Sequence, residues 1–247
     1  MSTVDELRAR KSVRVFEPTP IPAEVRQEIL AGTFAAPTAG NQMLYTILDI
    51  TDQAIKDELA DCCDHQSFIA RAPLVLIFLA DCRRWLDAYA VAGCTPRAPG
   101  PGDLYIALCD ALIAAQNAVT AAHALGLGSC YIGDIVEQRE RLSALLALDQ
   151  YTFPATLVVF GYPTAQQLRR RKPRRFDERF VVLPNRYRRL TPEEQRAAFA
   201  GRGDDFDAYL PAFCRRKYHS DFAAEMNRCV AAYLEPFGRT PEAPASQ

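Results

Sequence analysis

The chain lacks the motifs by which many soluble enzymes can be read at sight. Its 247 residues hold no G-x-G-x-x-G behind an apolar run, no G-x-x-x-x-G-K-[ST] and no G-x-S-x-G. The dinucleotide fingerprint, the P-loop and the nucleophile elbow are therefore excluded. Eight cysteines occur without a single C-x-x-C spacing, and the three histidines, His65, His123 and His219, are scattered. Neither pattern offers a zinc or iron–sulfur site, so no metal is expected. Neither sign of charge dominates, with 29 Lys and Arg against 30 Asp and Glu, so overall charge draws the protein neither to nucleic acid nor to a membrane. No period of 20 to 50 residues repeats, which excludes a solenoid. The N-terminus, MSTVDELRARKSV, is charged where a secretory signal would be apolar. Cysteines inside apolar runs read as reduced core residues, which points to the cytoplasm.

What the chain has is one dominant stretch. From Asp103 to Leu125, 17 of 23 residues are apolar, and Asp110, Gln116, Asn117, Thr120 and His123 fall on roughly one side at helical pitch. The spacing predicts one helix, about 34 Å long at ~1.5 Å per residue, running through the centre of a domain. A membrane span is excluded, because no apolar run inside it exceeds six residues and its polar residues would be costly in lipid. Its many alanines, among them those at 107, 111, 114, 115, 118, 121 and 122, invite close approach by another helix, from this chain or a second copy. Gly126 and Gly128 end it, and Ser129 to Ile132 reads as a buried strand closed by Gly133.

Around this stretch the reading is of alternating elements. Helices are expected at 4–10, with Ser2 or Thr3 as cap, at 22–35 behind Pro22, at 52–62, and at 136–148. Strands are expected at 44–50, 74–80 and 153–160. Arg83 to Gly93 is a further helix, and Thr191-Pro192-Glu193-Glu194 opens a helical region reaching Phe237.

Three segments invite ligands. Arg10-Lys11-Ser12-Val13-Arg14 makes a compact anion site if extended, since alternate side chains share a face, and otherwise a solvated basic turn. The small-residue loop Ala36 to Gln42 could bring backbone amides to a planar ligand, or be an ordinary turn. Residues 164–190 hold ten arginines and lysines against Asp177 and Glu178, which fits a solvated arm, a phosphate ligand or a nucleic-acid stripe. With no nucleophile or general base apparent among the side chains, the chemistry falls to a bound cofactor.

The order R-K-S-V-R-x-F at 10–16, A-P-T-A-G-N-Q at 36–42, G-L-G-S-C-Y-I-G-D at 126–134, F-G-Y-P at 160–163 and K-P-R-R-F at 172–176 resembles the FMN-dependent nitroreductase and flavin reductase family, in its longer branch with a C-terminal extension. That resemblance implies an α+β sandwich, a mixed central sheet flanked by helices, in an intertwined homodimer with two FMN at the interface. It implies that Arg10, Lys11, Ser12 and Arg14 bind the phosphate, ribityl chain and pyrimidine edge. Pro37, Thr38, Ala39, Gly40 and Asn41 match the loop given by the partner subunit, and Gln66 a polar contact to ribityl or ring. Tyr131, Ile132, Gly133 and Asp134 match the segment along the ring near N5, and Lys172 and Arg174 the pair that closes on the phosphate. Asp134 stands where some relatives have glycine, and Asn41 where some have bulkier residues.

The implied layout is a flavin core over 1–163, a basic arm over 164–190, a helical extension over 191–237 and a disordered tail over 238–247. The implied activity is hydride transfer from NAD(P)H to FMN, with ping-pong delivery of two electrons to a nitroaromatic, quinone or flavin. Arg215, Arg216 and Lys217 are the candidate cluster for the phosphates of NAD(P)H, or else solvated. Two other readings remain at this point, a flavoenzyme of the same fold specialised for one metabolite, and a nucleic-acid binder using the arginine-rich arm.

Overall fold

A computed structural model describes residues 2–200, 202 and 205–238. The tail expected to be disordered lies, beyond Gly238, outside the described residues. The order of elements is α1 (Thr3–Ala9), α2 (Ala23–Phe34), β1 (Tyr45–Asp49), α3 (Gln53–Cys62), β2 (Leu74–Asp81), α4 (Arg83–Val91), α5 (Pro101–Ala124), β3 (Gly128–Ile132), α6 (Arg139–Leu145), β4 (Thr152–Gly161), α7 (Ala165–Arg169), α8 (Pro192–Phe199), α9 (Phe206–Tyr218) and α10 (Asp221–Leu234). The chain divides into two compact units, Met1–Arg170 with Met226–Gln247, and Arg171–Glu225.

In the first unit the strands form one sheet in the order β1-β2-β4-β3, every neighbouring pair antiparallel. Its parallel component is a single bridge between Ser12 and Ser129. All eight residues of β2 are buried, and alternation along the strand sends them to two different cores. Val75, Ile77 and Leu79 join Leu59, Ile69, Leu142 and Phe237 on one face. Leu74, Leu76 and Phe78 join Ile29, Ala111, Ala115, Ala118 and Val119 on the other. A continuous apolar run is thus the signature of a strand covered on both sides. Opposite Phe78 and Leu79 the register slips by one residue, and Pro154 sits at that bulge, where a missing N–H costs the ladder least.

Helix α5 begins two residues earlier than its apolar pattern, because Pro101 fits the first turn and Asp103 accepts the Gly100 N–H at 2.7 Å. By length and composition it could cross a membrane, yet its alanine face is buried in the protein. The alanines serve α2, where a Cβ on Gly32 would stand 3.0 Å from the Ala121 Cβ and Asn117 donates to the Gly32 carbonyl at 3.1 Å. The expected helix over 136–148 is shorter, Arg139–Leu145, because the chain first makes a tight turn at Asp134–Val136. After α9, the later part of α10 returns to the first unit, where Tyr233 packs on Phe153 and Phe237 on Tyr151.

In the second unit, Thr191 and Glu194 cap α8 reciprocally and Arg188 holds Glu194 through two bonds of 2.7 and 2.8 Å. Phe176, Phe199 and Phe206 stack edge to face, with the Arg202 guanidinium 3.7 Å above Phe176. Part of the arginine-rich arm is thus engaged with its own acids and aromatics.

Candidate functional site

The N-terminal basic segment packs at two glycines, Gly128 at the start of β3 and Gly161 at the end of β4. Val13 donates its N–H to the Ser129 carbonyl at 2.9 Å and its side chain lies on Gly128, where a Cβ would stand 2.5 Å from Val13 Cγ2. Three residues later, Phe16 bridges to Pro163, Glu17 donates to the Tyr162 carbonyl at 2.8 Å, and a Cβ on Gly161 would stand 2.8 Å from the Phe16 ring. The apolar residues of R-K-S-V-R-x-F are therefore the anchors, and they set the polar ones along β3. Arg10, Ser12 and Arg14 all act on the Cys130 thiol. Burial pushes that thiol up, while the Arg14 charge, the Ser12 hydroxyl and the Arg10 charge oppose it. Burial likewise pushes the Tyr131 phenol up to about 12 despite the nearby Arg10 charge, and its hydroxyl meets Gln116 Oε1 at 3.2 Å.

Arg10 carries the most informative atom. Its Nη1 is buried without a hydrogen-bond partner, an arrangement that is costly unless an acceptor from outside the chain completes it. Lys11 behaves differently from its neighbours. Its ammonium donates to the carbonyls of Leu168 and Arg170, both at 2.6 Å, so it fixes the end of α7 and the start of the arm.

The loop over 37–44 is tied to α5 by Asp110, a 2% exposed carboxylate. Its oxygens accept from the Thr38 hydroxyl, from Ala39 N–H at 3.0 Å and from Leu44 N–H at 3.2 Å. Thr38 Oγ1 in turn accepts from Met43 N–H at 2.8 Å. Within the loop Gly40, Asn41 and Met43 all adopt left-handed backbone.

Gln66 and Asp134, chosen from separate parts of the sequence, meet directly, Gln66 Nε2 donating to Asp134 Oδ2 and to the Cys63 carbonyl at 2.9 Å. Ile132 is buried beneath this turn, whereas Gly133 is exposed and a Cβ there would meet nothing within 4 Å. Neither the chain's packing nor a left-handed φ demands glycine at 133, which leaves room for a flat ligand to approach the backbone.

Lys172 and Arg174, and Arg215, Arg216 and Lys217 in the last turn of α9, belong to the second unit. Arg216 stacks on Phe213 at 5.2 Å and Lys217 lies 5.9 Å from Phe222. A cavity of about 670 Å³ opens beside Arg14 and Phe16, lined also by Gln53, Phe68, Arg71 and Pro73. Only Arg14 of the candidate residues lines it, so this hollow does not by itself define the site. Among the described residues no group of three or more His, Cys, Asp or Glu could hold a metal. Asp110, Val13 and the glycine at 128 are the residues that pattern reading did not assign. The signal for Asp110 was present, as the single carboxylate in the interior of an otherwise apolar helix.

The model of the nitroreductase family matches residues 7–162 of this chain. The chain is 28% identical over 203 residues to a Cr(VI) reductase of Pseudomonas sp. (strain G-1), covering 82% of this chain and 81% of that protein. It is 30% identical over 190 residues to the oxygen-insensitive NADPH nitroreductase of Salmonella typhimurium, covering 76% and 75%. Among solved structures it resembles the NADPH:FMN oxidoreductase from Vibrio harveyi complexed with NAD+, at TM-score 0.75 and 25% identity over 96% of this chain and 97% of that one. The protein belongs to the nitroreductase family.

Proposed function

We propose that this protein is an NAD(P)H-dependent FMN oxidoreductase that serves a nitroaromatic, quinone or flavin acceptor by a ping-pong mechanism. The carrying observation is the buried, unpartnered Nη1 of Arg10 beside Ser12 and Arg14, a donor set suited to a phosphate-bearing cofactor. The names of the relatives, an NADPH nitroreductase and an NADPH:FMN oxidoreductase, support FMN and NAD(P)H. FMN, when bound, would supply the two-electron redox chemistry that links NAD(P)H to the acceptor.

The chain's own residues bind and orient. Arg10 takes the FMN phosphate through charged bonds worth about 1.5–3 kcal/mol each, and Lys172 and Arg174 of the arm over 164–190 are the further candidates that the family resemblance assigns to that group. Arg14 lies along the pyrimidine edge, where its charge favours the reduced, anionic cofactor. The Gly133 and Asp134 backbone would lie along the flavin ring, and the Gln66 to Asp134 bond fixes that turn. Lys11 acts at one remove by holding the chain at 168–170. The loop at Pro37 to Asn41 would cover the flavin of a second copy, and Arg215, Arg216 and Lys217 are the candidates for binding the phosphates of NAD(P)H.

Homodimer formation is supported by α5 itself. Tyr105, Ile106, Leu112 and Ile113 form an exposed apolar stripe on the side away from the alanine face, and Val4 and Leu7 of the adjacent α1 are also exposed. All eight cysteines are free thiols, as suits the reducing cytoplasm. Purification tests the reading. The protein is expected to be yellow with non-covalent FMN, and colourless protein that takes up no added FMN would contradict it.

A further inference from the structure

We propose that Asp110 is the positioning residue of the active-site loop over 37–44, and that its carboxylate holds the loop in a backbone conformation the loop would not keep alone. The inference rests on the flavin reading above, which places this loop over the cofactor.

The loop is costly in itself. Gly40, Asn41 and Met43 have φ of 56, 56 and 50°. Glycine and asparagine tolerate the left-handed region, but methionine does not, and such backbone persists only where its surroundings over-determine it. Here they do, from two directions. On the amide side Asp110 accepts from Ala39 and Leu44 N–H directly and from Met43 N–H through the Thr38 hydroxyl. On the carbonyl side α4 supplies donors, Trp85 Nε1 to Gln42 at 2.9 Å and Arg84 Nη1 to Met43 at 3.3 Å. Each residue from Ala39 to Leu44 apart from Gly40 and Asn41 has a main-chain group in this clamp, the left-handed Met43 included.

Only the carboxylate side depends on a buried charge. A carboxylate inside an apolar helix is expensive to bury, and among the described residues Asp110 makes no ion pair to offset that cost. Three donors from one loop compensate it, and all three need an acceptor. An amide at this position would offer one acceptor oxygen and turn an NH2 group toward backbone N–H, so even the isosteric Asp110→Asn releases part of the loop. Asp110 is buried behind the loop and its oxygens are spent on it, so it acts through the loop as a positioning residue. Its loss should weaken binding of flavin and acceptor and leave the chemical step.

The test compares Asp110→Asn, Thr38→Val, Thr38→Ser and the double variant Asp110→Asn/Thr38→Val. For each, the FMN dissociation constant, the acceptor KM and kcat at saturating FMN, and the melting temperature are measured. Asp110→Asn is expected to raise the FMN dissociation constant and the KM about tenfold with kcat within about twofold, and Thr38→Val to raise both constants to a similar extent. Thr38→Ser, which keeps the hydroxyl, should recover most of what Thr38→Val loses. The double variant should lose no more than the worse single one, as for groups acting in one network. Lower melting temperatures with unchanged dissociation constant and KM would overturn the proposal by showing a purely structural carboxylate. If Asp110→Asn does not fold, the Thr38→Val against Thr38→Ser comparison decides alone. Failure of the wild type to bind FMN would instead overturn the flavin reading.

Discussion

Arg10 shows how a single side chain can be legible in sequence for its type and only in structure for its state. Three cationic residues within five positions already marked an anion site, but only the fold shows Nη1 buried with no acceptor while Lys11 is committed to two carbonyls. The two should therefore respond differently to mutation. Arg10→Ala is expected to weaken FMN binding by about 10- to 100-fold, in line with a charged hydrogen bond of ~1.5–3 kcal/mol. It should not lower the urea stability of the apoprotein, since the buried atom has no partner to lose. FMN titration together with apoprotein unfolding checks both halves, and an apoprotein destabilised by several kcal/mol would show that Arg10 is structural. Asp110 stayed unassigned in the sequence for the opposite reason. Its donors are backbone amides more than sixty residues away, and no pattern in the side chains announces them.

At the level of elements, the strands and helices were readable because burial follows period. The seven-residue apolar run at 74–80 is covered on both faces, and the caps at Ser2 and Thr191 mark helix starts as expected. Spacing did not show that the basic segment depends on glycines more than a hundred residues distant. Gly128→Ala would drive a methyl into Val13, and overpacking of this kind costs about 1–3 kcal/mol. The segment should shift and FMN affinity fall with stability, whereas Gly133→Ala, with open space around it, should leave the apoprotein melting temperature unchanged and affect only flavin binding. Differential scanning calorimetry with and without FMN separates these outcomes.

Within the first unit, the later part of α10 offers a pH test of its pairing with α6. Two bonds of 2.9 Å from Arg228 hold the Glu140 carboxyl down to about 2. Because the folded value lies below the unfolded one, its contribution is present above the ordinary carboxylate range and is lost as pH falls from about 4.5 toward 2. The pair is exposed, so the effect is small. Arg228→Ala should narrow the stability difference between pH 5 and pH 2, and an unchanged acid limb would remove the pair from the account.

For the whole molecule, the central questions are whether two copies form the enzyme and whether electrons pass through bound flavin. The exposed stripe on α5 was foreshadowed by a helix more apolar than one chain could cover, while its boundaries and the alanine face toward α2 needed the fold. Ile113, 40% exposed, can take a charge without disturbing the core. Ile113→Arg is expected to give a folded monomer with lost FMN, read by light scattering and absorbance, and a flavin-bearing monomer would contradict the shared site. Electron flow is tested most directly by following the visible flavin absorbance of the purified holoenzyme under anaerobic conditions. One equivalent of NADPH should bleach the band in the absence of acceptor, and subsequent addition of a quinone should restore it fully. Bleaching that requires the acceptor to be present, or no response to either NADPH or NADH, would contradict an enzyme in which donor and acceptor take turns at one flavin.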